Sequence, residues 1–126
     1  MNGQKHIVII DDDEQIREML RQILEREGYG IFVAANGKEG MQIYREKKTD
    51  LVITDIIMPE KDGLETITEL RKDFPEVKII AMSGGGSKGP ESNLQAAKRL
   101  GAVCTLTKPV RRKEMLSAVK EFINPS

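Results

Sequence analysis

Five short runs of apolar, mostly β-branched residues punctuate this chain, and the stretch after each carries apolar residues at helical spacing. The runs are residues 6–10, 31–35, 51–54, 77–82 and 102–107. Continuous apolar runs of this length fit strands buried on both faces, and strands alternating with helical patterns call for parallel pairing through crossover helices. After the first run, Ile16, Met19, Leu20, Ile23 and Leu24 share one helix face, which Gly28 and Gly30 terminate. Asn36 and Glu39 have capping-box spacing at the head of a helix through Met41 and Tyr44. Met58-Pro59 and Asp62-Gly63 form a turn, and Asp62 with Glu65 caps a helix bearing Leu64, Ile67 and Leu70. Pro90 opens a fourth helix, Gly101 ends it, and Met115, Leu116, Val119, Phe122 and Ile123 line a fifth. Five βα units imply an α/β fold, a doubly wound five-stranded parallel sheet covered on both faces. Ligands in such sheets bind beyond the carboxyl ends of the strands.

Those carboxyl ends carry the chemistry. The first run leads into Asp11-Asp12-Asp13, the third into Asp55, the fourth into Ser83-Gly84-Gly85-Gly86, and the fifth into Lys108-Pro109. Neighbouring parallel strands would gather two or three carboxylates, a hydroxyl and an ammonium in one crevice. Hard oxygen donors in that number suit Mg²⁺, which keeps several waters of its own. Alternatively, the acids after the first run favour a helix N-terminus, the role expected of Asp13 and Glu14. Asp55 is a ligand, a cap, or a nucleophile able to form an acyl phosphate. Ser83 and bare glycine amides could hold phosphate oxygens, although no P-loop pattern follows. An X–Pro bond can be cis, and a fixed geometry at Lys108-Pro109 would aim the ammonium inward.

Composition narrows the classes. A length of 126 residues with 39% hydrophobic residues supports one core and one domain, 1–126. The 20 Lys and Arg balance 20 Asp and Glu, which argues against a nucleic-acid-binding module. No apolar run approaches a membrane span and no signal peptide opens the chain, so a cytoplasmic protein without membrane insertion is expected. Cys104 is the sole cysteine, expected as a buried small hydrophobe; the methionines are expected as core filler. His6, at the amino end of its strand, is expected to be passive. With no Trp and few aromatic residues, no base-stacking platform is visible.

Taken together, Asp11-Asp12, Asp55, Ser83 and Lys108-Pro109 resemble the receiver domain of two-component response regulators, over roughly His6 to Ile123. The run from Thr54 to Gly63 resembles that family's phosphoacceptor segment almost residue for residue. The resemblance implies a flavodoxin-like (βα)5 fold with strand order 2-1-3-4-5. It implies that Asp55 accepts phosphate from a phosphohistidine on a sensor histidine kinase or phosphotransfer protein. Asp12, Asp55 and the main-chain carbonyl of Ile57 would bind Mg²⁺ directly, Asp11 partly through water, and Ser83 and Lys108 would each hold a phosphoryl oxygen. The chain would then be a phosphorylation-controlled switch in a two-component system or phosphorelay, not an enzyme beyond self-catalysed phosphotransfer and autodephosphorylation. It would act as a monomer or weak phosphorylation-dependent dimer.

The switch implied by the resemblance runs through Ser83, Gly84 and a strand-five residue, altering the surface of helix four, strand five and helix five toward an unidentified output protein. That strand-five position is commonly Tyr or Phe; here it is Thr105, which has no ring to swing. Ordering of loop 84–90 and a shift of helix four are therefore expected to carry activation. One alternative is a metal-dependent hydrolase of small phosphoesters with an aspartyl-phosphate intermediate. Such enzymes often need a second Asp two positions on, where this chain has Ile57. Another is a receiver excised from a larger regulator.

Overall fold

The structure, a computed structural model, describes residues 3–56, 58, 63–84 and 90–123. Strands β1 (His6–Ile10), β2 (Gly30–Ala34), β3 (Leu51–Asp55), β4 (Ile79–Ser83) and β5 (Cys104–Thr107) alternate with helices α1 (Glu14–Arg26), α2 (Gly37–Lys47), α3 (Gly63–Asp73), α4 (Pro90–Leu100) and α5 (Arg112–Ile123). The strands form one parallel sheet in the order β2-β1-β3-β4-β5. The order reverses between β1 and β3, so the ends of these two strands flank the crevice of the doubly wound fold.

Local chemistry sets the helix limits. Asp13 caps α1, its carboxylate accepting the Gln15 and Ile16 amides at 2.9 and 3.4 Å. Asn36 caps α2 by accepting the Glu39 amide at 2.9 Å, and Glu39 answers by accepting the Ala35 amide at 3.0 Å. Gly28 and Gly101, at φ +95° and +122°, turn the chain out of α1 and α4 in the left-handed region where a side chain would be strained. The expected Asp62 cap of α3 and the Met58-Pro59 turn involve positions outside the described residues.

Alternation along the strands divides the core in two. Ile7, Ile9, Leu51, Ile53, Ile80 and Met82 pack against Leu20 and Leu24 of α1 and Met115, Val119 and Ile123 of α5. Val8, Ile10, Val52, Ile79 and Ala81 pack against Met41 and Tyr44 of α2, Ile67 and Leu70 of α3, and Ala97 of α4. Central strands β1, β3 and β4 are buried almost throughout, which is why they read as uninterrupted apolar runs.

Several bounds shift for identifiable reasons. Gly30 joins β2, pairing with His6 and donating to the Lys5 carbonyl at 2.9 Å, whereas β2 stops at Ala34 and the Ala35 amide, facing away from β1, goes to Glu39 at the head of α2. β4 begins at Ile79, because Val77 is held in a turn by the Phe74 carbonyl (3.0 Å) and by Arg71 (3.3 Å). β4 ends at Ser83, paired with Thr107. β5 begins at Cys104, since the Ala102 amide is spent closing α4 on the Ala97 carbonyl at 3.0 Å. Two burial expectations need correction. Cys104 lies on an edge strand and is only half-buried, with burial the leading cause of a raised thiol pKa. Met19 is 44% exposed, because it sits at the margin of the α1 face.

Candidate functional site

The register brings the strand ends together. Ile10 pairs with Thr54, Asp55 with Met82, and Ser83 with Thr107, so Asp11, Asp55, Ser83 and Lys108 occupy successive tips of four adjacent strands. One carboxylate oxygen from each of Asp11, Asp12 and Asp55 lies within 4.8 Å of the others. The Lys108 ammonium donates to Asp11 Oδ2 at 2.8 Å and lies 3.3 Å from Asp55 Oδ2. The Lys108–Pro109 bond is cis, as the sequence allowed.

Asp11 is fully buried and every polar group it has is engaged. Its amide donates to the Ala34 carbonyl at 3.1 Å, and its Oδ1 accepts the Asp13 amide at 2.9 Å. Its carbonyl accepts Arg17 Nη1 at 2.7 Å. Asp12, one residue on, is exposed at the rim. Asp55 is 5% exposed. Its carbonyl accepts the Thr54 hydroxyl at 2.9 Å, and α3 comes down on the same carbonyl at Gly63. A Cβ on Gly63 would stand 2.1 Å from Asp55 O and 2.6 Å from Ile56 Cα, so only glycine admits this approach.

Packing Asp55 and Lys108 into this buried crevice shows in their protonation. Burial pushes the Asp55 carboxyl up, the Asp11 charge pushes it further, and Lys108 offsets part; the outcome is about 6. For Lys108, burial pulls the other way, but its bond to Asp11 and the charges of Asp55 and Asp11 outweigh it, and its pKa rises. Burial leads the Asp55 shift, and the attraction between Lys108 and the two buried acids leads the rise at Lys108. Hard carboxylate oxygens in surplus are the donor set a small divalent cation takes, so the residues present fit Mg²⁺.

Ser83 is fully buried, its hydroxyl only 3.3 Å from the Gly84 carbonyl, a long bond that is easily exchanged. Its own carbonyl accepts the Lys108 amide at 2.9 Å, tying the two strand ends together. Gly84 lies beside the Lys108 stem. Thr105 pairs with Ala81, and alternation turns it toward the α4 side, away from Cys104 and Leu106. The Ile57 carbonyl and residues 85–89 fall outside the described residues.

Sequence reasoning missed Arg17, the Thr54 hydroxyl and the approach of Gly63. Only Arg17 left a signal: a cation in the first turns of a helix opposes the macrodipole and so needs a local partner. Also missed was an apolar groove of about 480 Å³ beside the crevice, lined by Ile16, Met19, Met82, Pro109 and Val110 with Lys108 at its edge.

Comparison with known proteins agrees with this arrangement. The family described as the response regulator receiver domain matches residues 7–120. The chain is 34% identical to the chemotaxis protein CheY of Halobacterium salinarum, over 94% of this chain and 97% of that one. It is 32% identical to sporulation initiation phosphotransferase F of Bacillus subtilis, over 93% and 92% respectively. Longer transcriptional regulatory proteins match too, the chain spanning 27% of their length. A receiver domain crystal structure from Clostridium thermocellum superposes with a TM-score of 0.88 at 31% identity, covering 95% of this chain and 94% of that one. The chain belongs to the response regulator receiver family. The flavodoxin-like expectation for the sheet is met in full.

Proposed function

We propose that this chain, as a single domain over 1–126, is a cytoplasmic phosphorylation-controlled switch whose phosphoacceptor is Asp55. The donor is a phosphohistidine on a sensor histidine kinase or phosphotransfer protein. The Asp55 carboxylate attacks phosphorus, the P–N bond to the donor imidazole breaks, and an acyl phosphate forms. Mg²⁺, when bound among these acids, would supply charge neutralisation for the phosphoryl group and relieve their repulsion. Asp12 and Asp55 would hold it directly and Asp11 partly through water; the Ile57 carbonyl, outside the described residues, would join them by the family resemblance. Lys108 exchanges its bonds to the acids for a phosphoryl oxygen, and Ser83 gives up its long bond to Gly84 to donate to another. Among the described residues Asp11, Asp12, Asp55 and Lys108 already share the crevice, and electrostatic stabilisation of a transferring phosphoryl group relies on such prior positioning.

The observation that carries this reading is the single ammonium of Lys108 spanning Asp11 and Asp55 in a buried crevice. Incubation with acetyl phosphate and Mg²⁺, followed by intact-mass spectrometry, tests it: one stoichiometric phosphorylation is expected. Multiple turnover of small phosphoesters would instead indicate a hydrolase. The apolar groove at the crevice favours a protein donor over a free ester, since an exposed apolar surface beside polar groups fits macromolecular contact.

Phosphorylation adds about one to two negative charges and new acceptor oxygens. With Thr105 in place of a ring, the response passes from Ser83 and Gly84 into the following loop and helix α4, and so to the output surface of α4, β5 and α5. Hydrogen exchange in 84–100 is expected to slow when beryllofluoride is bound; unchanged exchange there refutes this route.

A further inference from the structure

We propose that Arg17 is a positioning residue that aims the Asp12 carboxylate at the cation, acting through the Asp11–Asp12 peptide. The inference rests on the phosphoacceptor reading above. Arg17 Nη1 donates to the Asp11 carbonyl at 2.7 Å, a short charge-assisted bond. That carbonyl belongs to the same planar unit as the Asp12 amide and Cα. Fixing its oxygen therefore fixes where Asp12 leaves the main chain.

The two acids differ in what holds them. Asp11 is fastened by Ala34, Asp13 and Lys108 whether or not Arg17 is present. The Asp12 carboxylate makes no hydrogen bond or ion pair with another described residue, so its direction depends on its backbone. The helix places Arg17: it lies in the first turns of α1 and its amide donates to the Asp13 carbonyl at 3.0 Å. Among the described residues no carboxylate pairs with its guanidinium, although α1 is rich in glutamates that engage Arg21. The charge is thus directed to a neutral carbonyl beside an acidic cluster, close to the end of the helix where a cation is least favoured.

Two roles predict opposite signs. If Arg17 served only as a nearby positive charge, removing it would tighten Mg²⁺ binding, because like charges repel. If it orients a ligand, removing it weakens binding, as loss of groups that orient metal ligands does, by about tenfold. Calorimetric titration of the full chain with Mg²⁺ measures this for Arg17→Met and, in case that variant is unstable, Arg17→Leu, neither of which can donate to the Asp11 carbonyl. Both are expected to bind Mg²⁺ about tenfold more weakly. Arg17→Lys, which can still donate, should recover part of the loss. In an Asp12→Asn background, Arg17→Met should cause less than about a twofold further change, since the residue it positions is already disabled.

Unchanged or tighter Mg²⁺ binding in the single variants, or losses that simply multiply in the double variant, overturns the proposal. Failure of the parent reading looks different: wild type then binds no Mg²⁺, or Asp55→Asn is still phosphorylated. A role confined to stability would lower the urea midpoint while leaving the Mg²⁺ affinity of the folded protein unchanged.

Discussion

The two ends of this one sheet are built on opposite principles. At the amino ends of the strands, polar groups have local partners and charges lie over rings. The His6 amide donates to Asp50 at 2.8 Å, and the His6 ring stacks on Phe32 with centroids 5.9 Å apart. Lys47 sits over Phe32 and Lys48 over Phe74, at 5.8 and 4.7 Å. At the carboxyl ends, fewer than ten residues further along the same strands, three carboxylates cluster, two of them share one ammonium, and the Asp55 carboxyl is raised to about 6. One end lowers the energy of the fold; the other holds repulsion in reserve for a cation and a phosphoryl group. Perturbed titration at a cleft, with satisfied pairs elsewhere, marks where chemistry is located.

The largest expected effect is on phosphoryl uptake. Asp55→Asn should abolish it by intact-mass measurement, while His6→Ala at the opposite end leaves its rate within about twofold, far below the effect of losing a nucleophile. Equal sensitivity of the two ends would break the contrast.

Next comes Gly63→Ala. A new Cβ 2.1 Å from a backbone oxygen cannot be absorbed by a side-chain rotation, so α3 must move. A loss of about 2–3 kcal/mol in urea unfolding is expected, together with slower phosphorylation. Normal stability and normal uptake would show that the acceptor strand does not depend on this contact.

The third effect is a gain. The Asp55 carboxyl is raised in the folded chain to about 6, above its unfolded value of roughly 3.9. The folded state therefore binds more protons between these values, and stability falls as pH rises through that window. Without metal, Asp55→Asn should be more stable than wild type at pH 7.5, by on the order of 2 kcal/mol, with the gain shrinking toward pH 4. In the same window, metal-free nucleophilicity should fall as the carboxyl takes up its proton. An Asn variant less stable at pH 7.5 would mean that the acids are not in conflict.

The smallest effect is expected at the amino end. His6→Ala removes one stacked ring and should cost about 1 kcal/mol, independent of Mg²⁺. A Mg²⁺-dependent cost would show that the two ends are coupled.

Much of this was legible beforehand. Ile7–Ile10 and Leu51–Ile53 could be read as buried strands because both faces of a parallel sheet are covered, and the tips at Asp11, Asp55, Ser83 and Lys108 followed from topology. Strand limits at Ala35, Val77 and Ala102 were not legible, because each goes with local hydrogen bonds: to Glu39, to Phe74 and Arg71, and to Ala97. Arg17, Thr54 and Gly63 act on backbone carbonyls, and a carbonyl has no letter in the sequence. Met19 carries the right spacing for the core but sits at the edge of its helix face, a matter of degrees of rotation.

By itself the sequence determined the alternation of strand and helix, the burial of the central strands, and which residue types stand at the strand tips. Those follow from local periodicity and from where apolar runs stop. Only the tertiary structure decided that Asp11 is fastened while Asp12 is not, that Lys108 is shared between two acids, and that the Asp55 carboxyl is raised to about 6. These depend on distances between atoms far apart in the chain, and both Coulomb energy and desolvation are set by such distances and by burial.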